Sequence, residues 1–237
     1  MSFKSKDLYF KIHGDYALWT SPESKGGGEK FTYSVPTRQG LTGIVDSIYY
    51  KPTFKNIVDE VKVINLIQTD TKGIRAMVGK GKADLNYVTY LADVCYYVKY
   101  HFEWNENRTD LEYDRNQRKH EAIAERAIKK GGRRDTFLGT RECLAFVEAV
   151  TEEEYTQVES CHAGQTLNFG IMFHSFEYPD TPGNPLFAYY TNTIMADGII
   201  KFKRQNDCGI KNELSNYEFK YPKQIKSVEE EYKEMEE

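Results

Sequence analysis

The apolar residues of this chain recur with two different periods. From Val94 to Trp104 they alternate, so that Val94, Tyr96, Val98, Tyr100, Phe102 and Trp104 fall on one face of an extended segment, as in a half-buried strand. In SVPTRQGLTGIVDSIYYKP, Leu41, Ile44, Val45 and Ile48 recur instead at i, i+3, i+4 and i+7, which is one stripe of a helix. Ser34 would cap that helix, Pro36 suits its first turn and Pro52 would stop it. A second helix is expected in DRNQRKHEAIAERAIKKGGRR. There Asp114 and Gln117 have the spacing of a capping box, Ile123, Ala127 and Ile128 form the core stripe, and Gly131-Gly132 ends the element.

LYFKIHGDYALW, IVDEVKVINLI, GIRAMVG and ECLAFVEAV read as further strands. Strand, helix, strands, helix, strand is the split βαβ order of a ferredoxin-like (RRM-like) fold, here with an inserted hairpin around residues 70–91. The acidic EEEYTQVES marks a boundary near residue 150. Beyond it LNFGIMFHSF, LFAYYTNTI and GIIKFK read as three strands, the last two joined by a turn at Asp197-Gly198. The expected class is therefore α+β: a ferredoxin-like domain over residues 1–150 and a small antiparallel β domain over 151–237. The charged end SVEEEYKEMEE offers little core material, so any helix there is expected to be peripheral.

Composition adds little to this outline, but charge distribution does. With 237 residues, 40% hydrophobic and 29% charged, the chain has ordinary globular values. No apolar run approaches the roughly 18–20 residues that span a bilayer, and the Lys-rich start has no apolar region behind it. A cytoplasmic protein without a membrane partner is expected. Cys95, Cys143, Cys161 and Cys208 form no C-x-x-C pair and are expected to be reduced and buried. From Arg115 to Arg141, however, nine Lys/Arg face three Asp/Glu, a local +6 in a chain of net charge −4. Such an island suits phosphates, although a solvated helix face with i, i+4 pairs would carry the same residues.

His120 lies near the start of the second helix, along its apolar stripe, with Lys119 adjacent and Arg115 and Arg118 in the preceding turn. An imidazole titrating near neutrality beside fixed cations can move protons at a phosphate. If both helices pack on one face of the sheet, Tyr49 or Tyr50 at the end of the first helix could join this pair. GGRRDTFLGTREC adds Arg133 and Arg134 beside glycines, but it is neither G-x-G-x-x-G nor a P-loop. His13, His101, His162 and His174 each lack a second ligand at metal spacing. No H-E-x-x-H or G-x-S-x-G occurs.

Taken together, YSVPTRQGLTGIVDSIYYKPTF, DRNQRKHEAIAERAIKKGGRRDTFLGTREC and GIMFHSF resemble the type I-C (Dvulg subtype) CRISPR-associated Cas-five proteins of the RAMP superfamily, over essentially the whole chain. The resemblance implies a metal-independent endoribonuclease without cofactors. It would cut precursor CRISPR RNA at repeat hairpins by 2′-OH attack and then stay with the mature guide RNA and the other subunits of the type I-C Cascade complex. DNA binding is left open. The family's catalytic trio maps onto Tyr49, Lys119 and His120, with Tyr50 the alternative one position on. Arg115, Arg118, Arg126, Arg133 and Arg134 are the candidates for RNA phosphate contact. The competing reading is a non-catalytic subunit that holds the 5′ handle of the guide RNA.

Overall fold

The computed structural model describes residues 3–24, 29–77, 83–220 and 226–235. Its central element is one long strand. The alternation from Val94 to Trp104 belongs to β5 (Ala83–Trp104), 22 residues long, in which Val94, Tyr96, Val98, Tyr100 and Phe102 are buried. The sequence reading starts this strand at Val94 because the alternation breaks just before it. Asp93 sits at φ +50, the left-handed region that an Asp tolerates better than most residues, and the pairing skips it.

Three strands and two helices build on the second half of this spine. β1 (Leu8–Ala17) and β3 (Phe54–Val63) flank the second half of β5, and β7 (Leu144–Ala149) pairs with β1, all antiparallel. Helix α1 (Arg38–Ile48) connects β1 to β3, and α2 (Gln117–Lys129) connects β5 to β7. The first half of β5 pairs in antiparallel fashion with β4 (Thr69–Met77), the hairpin expected near residues 70–91, whose connection lies outside the described residues. β2 (Glu29–Phe31) lies parallel to β5, and β6 (Thr136–Phe137) pairs with β7.

Both helical stripes bury as their periodicity predicts: Leu41, Ile44, Val45 and Ile48 on α1, and Ile123, Ala127 and Ile128 on α2. The caps differ from expectation. Thr37, not Ser34, caps α1 by accepting from the Gly40 N–H. Asn116, not Asp114, caps α2 by accepting from the Lys119 N–H, while Asp114 is fully buried and serves other donors described below. Gly131 and Gly132, at φ +82 and +109, end α2, with the Gly132 N–H returning to the Ala127 carbonyl, as helix-terminating glycines do. The backbone N–H groups of Arg133 and Arg134 then donate to the carbonyls of Ile48 and Ser47, which fastens the exit of α2 to the end of α1.

The acidic stretch after residue 150 forms a short helix, α3 (Glu152–Gln157), opened by a Thr151–Glu154 capping box. Next come β8 (Thr166–Glu177), β9 (Pro185–Ala196), β10 (Ile199–Lys201) and β11 (Ile210–Asn216). Asp197 and Gly198, at φ +51 and +76, make the expected turn between β9 and β10. β10 also pairs with β3, with Ile200 opposite Val61, so the hydrogen-bonded sheet continues across residue 150. β11 was not expected from the sequence. Every one of its residues is exposed, so it has no alternation to read. The closing helix α4 (Val228–Glu234) packs on α2, and its Val228 is fully buried.

The cysteines are all free, but only Cys143 is buried. Cys95 and Cys208 are half-buried and Cys161 is exposed. No helix among the described residues is long and apolar enough to cross a membrane.

Candidate active site

The end of α1 delivers Tyr49 to the start of α2, where its Oη lies 2.8 Å from Nδ1 of His120. Tyr49 is 3% exposed and His120 not at all, whereas Tyr50 is 52% exposed, so Tyr49 is the tyrosine that meets the histidine. His120 Nε2 lies 2.7 Å from the backbone carbonyl of Asp114. A carbonyl only accepts, so in the neutral ring Nε2 carries the proton and Nδ1 accepts from the Tyr49 hydroxyl. Burial among Phe54, Phe102 and Trp104, whose ring centroids lie 5.1, 6.1 and 5.7 Å from that of His120, pushes the histidine pKa below its ordinary value. Burial likewise pushes the Tyr49 phenol well up. Near neutral pH the pair is therefore a protonated phenol donating to a neutral imidazole.

Behind His120 lies a buried ion pair that the sequence reading missed. Asp114 Oδ2 accepts from Thr53 Oγ1 at 2.7 Å and lies 3.3 Å from Lys51 Nζ, with the two charged side chains 0% and 4% exposed. Its other oxygen accepts from the Val228 N–H. The same carboxylate is 3.8 Å from His120 Nε2, close enough to favour an imidazolium should one form.

The basic residues divide into three groups. Lys119, Arg126 and Arg133 face α4. Lys119 pairs with Glu229 and stands 5.5 Å from the centre of the Tyr232 ring, Arg126 stands 5.3 Å from the same ring, and Arg133 lies 3.0 Å from Glu231 and over the Tyr49 ring. Arg118 and Arg134 are exposed. Arg115 is mostly covered and bonds to the Asn105 carbonyl and Glu106. The acids of α2 do not neutralise its cations. Glu121 accepts from the Lys6 backbone and Glu125 pairs with the Lys6 side chain.

A cavity of about 250 Å³ opens beside Tyr49, lined also by Asp46, Tyr50, Arg133 and Arg134. Burial raises the Asp46 carboxyl to about 6 from the ordinary 3.8, against an opposing hydrogen bond from Asn56. A raised folded-state pKa means that the folded protein binds the extra proton in this window. The resulting destabilisation is absent below the lower value and complete above the upper one. Asp46→Asn is thus expected to raise the melting temperature at pH 7.5 but not at pH 3.5; equal shifts at both would dismiss the buried carboxylate as their cause.

His101 is less solitary than its sequence context predicts, since Asp7, Asp59 and His101 bring ligand atoms within 4.8 Å of one another. Lys99 and Lys4 already occupy the Asp7 carboxylate, each at 3.1 Å, and supply the positive charge that a cation would bring.

By its fold this is a mixed α/β protein on a mostly antiparallel sheet, carrying a buried tyrosine–histidine pair at the edge of a basic helix. The chain belongs to the CRISPR-associated Cas5 family: residues 7–203 match the family model Cas_Cas5d, described as CRISPR-associated protein (Cas_Cas5), and it is a type I-C Cas5 protein. A solved structure titled as that of a CRISPR-associated protein is 52% identical, covers 90% of this chain and 99% of its own, and superposes with a TM-score of 0.79. Two curated relatives are called CRISPR pre-crRNA endoribonuclease Cas5d. The one from Thermus thermophilus is 28% identical over 77% of this chain and 78% of its own length. The one from Mannheimia succiniciproducens is 27% identical over 72% and 86%.

Proposed function

We propose that this protein is a metal-independent endoribonuclease that cuts CRISPR precursor RNA at its repeat hairpins and then remains with the guide RNA as a subunit of the type I-C surveillance complex, in the cytoplasm. The observation that carries the reading is the contact of Tyr49 with His120 beside Lys119, in a chain whose curated relatives are named for this activity. The strand order β3-β5-β1-β7 with crossover helices α1 and α2 supports a ferredoxin-like unit over residues 1–150, to which residues 151–237 add a β-rich part.

In this reading the ribose 2′-OH reaches Tyr49 from the adjoining cavity. The 2′-oxygen attacks the neighbouring phosphorus as its proton passes to Tyr49 Oη and the phenolic proton passes to His120 Nδ1. The bond from phosphorus to the 5′-oxygen breaks and the leaving oxygen takes up a proton from solvent, giving a 2′,3′-cyclic phosphate and a 5′-hydroxyl; His120 later returns its proton to solvent. Asp114 stabilises the imidazolium, and the Lys119 ammonium offsets charge growing on the phosphate oxygens and on the leaving oxygen. Arg118, Arg126, Arg133 and Arg134 hold flanking phosphates, since an A-form hairpin is recognised by its shape and backbone.

The test is incubation of the protein with a labelled type I-C repeat hairpin in excess chelator. Cleavage at one site, lost when the scissile nucleotide is 2′-deoxy, is expected. Hairpin affinity should also fall steeply between 50 and 200 mM salt, by about tenfold or more if three or four phosphates are contacted. Binding without cleavage would favour the scaffold that holds the 5′ handle, and cleavage that requires a divalent ion would overturn the mechanism.

A further inference from the structure

The cations that the proposed chemistry needs are already occupied by the protein's own acidic segment. Residues 226–235 cross the start of α2 and place Glu229 on Lys119, Glu231 on Arg133 and 3.7 Å from Lys51, and Tyr232 beneath Lys119 and Arg126. The Lys226 carbonyl accepts from Lys51, and the Val228 N–H donates to Asp114. Carboxylates and a ring face therefore sit where phosphates and a base would make the same contacts. Arg133, held by Glu231, stands over the ring of Tyr49, so the segment reaches the edge of the Tyr49–His120 pair.

We propose that residues 226–235 are an autoinhibitory strap that imitates RNA on the basic face of α2, so that the repeat hairpin must displace it to reach the site. The proposal rests on the RNA-cleaving reading above for its substrate.

The strap is built to be displaced. α4 has seven residues, too few to be stable without its docking surface. Its hold combines one fully buried apolar side chain, Val228, and the half-buried Tyr232 and Met235 with ion pairs that are partly open to water. The members of Lys119–Glu229 are 29% and 51% exposed and those of Arg133–Glu231 41% and 14%, and such a pair is worth no more than about a fivefold factor in an equilibrium. A hairpin that brings several phosphates at once gains counterion release that two carboxylates cannot match.

The experiment compares the full chain with Glu229→Gln/Glu231→Gln, with a chain shortened to end at residue 225, and with Glu153→Gln/Glu159→Gln, an equal change of charge on and beyond α3. Affinity is measured with a hairpin blocked by a 2′-deoxy group, and cleavage with the unblocked hairpin at subsaturating concentration. The strap variants should bind about tenfold tighter and cleave correspondingly faster, while the α3 variant stays within about twofold of the parent. A peptide spanning residues 226–237 added in trans should restore the parent affinity to the shortened chain. If the parent cleaves and the Glu229/Glu231 variant neither binds tighter nor cleaves faster, the strap proposal fails and the nuclease reading stands. If affinity rises on strap removal in a protein that never cleaves, the strap stands and the nuclease reading fails. Equal gains from the α3 change would reduce the effect to net charge and overturn the strap.

Discussion

His120→Ala is expected to slow single-turnover cleavage of the repeat hairpin by about a thousandfold, the usual scale for losing a positioned general base, while leaving hairpin affinity within a fewfold of the parent. Affinity should survive because His120 is fully buried and offers the RNA no direct contact in this structure. The substitution also removes a packed ring from among Phe54, Phe102 and Trp104 and strips the Tyr49 hydroxyl and the Asp114 carbonyl of a partner. A stability cost of about 2–3 kcal/mol follows from the cavity and the unpaired groups, so rates must be taken well below the melting temperature. Tyr49→Phe separates chemistry from packing. It keeps the ring and deletes only the hydroxyl that is proposed to relay the proton, and should cost about a hundredfold in rate with a much smaller change in melting temperature. Full cleavage by Tyr49→Phe would reduce the pair to a structural hydrogen bond.

What the sequence disclosed here depended on the range of the interaction. The stripes of α1 and α2 were legible because Leu41, Ile44, Val45 and Ile48, or Ile123, Ala127 and Ile128, each recur within a few turns. The alternation after Val94 was legible for the same local reason, and so was the Asp197-Gly198 turn. Asp114 shows where this stops. As an Asp three residues before a Gln it has the form of a cap, yet its carboxylate is committed to Thr53, Lys51 and Val228, partners 61 to 114 positions away. Asn116, two residues on, caps the helix instead.

The closing segment was under-read for a related reason. Ser227 and Glu230 have the S-x-x-E form of a helix start, a signal that was available. One buried Val228 makes no stripe, and the charge complementarity that docks the helix lies more than 90 residues away in sequence. The meeting of Tyr49 with His120 was expected from family resemblance and fold analogy; 18 tyrosines in the chain offered no local reason to choose that one.

The second large effect is expected at the buried ion pair. Asp114→Ala should destabilise the fold by about 3–5 kcal/mol, because Lys51, 4% exposed, would keep its charge out of water without its carboxylate. That is a large share of the ~5–15 kcal/mol that holds an average domain together. The sign of the explanation is tested by adding Lys51→Met. If the cost is mainly the stranded ammonium, Asp114→Ala/Lys51→Met should recover at least about 2 kcal/mol of the single-variant loss in urea denaturation. Additive losses would place the cost in the other two donors, Thr53 and the Val228 N–H. Asp114 joins two parts of the molecule through these contacts: its carbonyl fixes the tautomer of His120, and its carboxylate anchors the first turn of α4. Asp114→Ala keeps the carbonyl and removes the carboxylate, so it is expected to loosen the strap and to withdraw the charge that favours the His120 imidazolium. Glu229→Gln/Glu231→Gln should loosen the strap while leaving the buried pair intact, and a faster nuclease is expected from that change and not from the loss of Asp114.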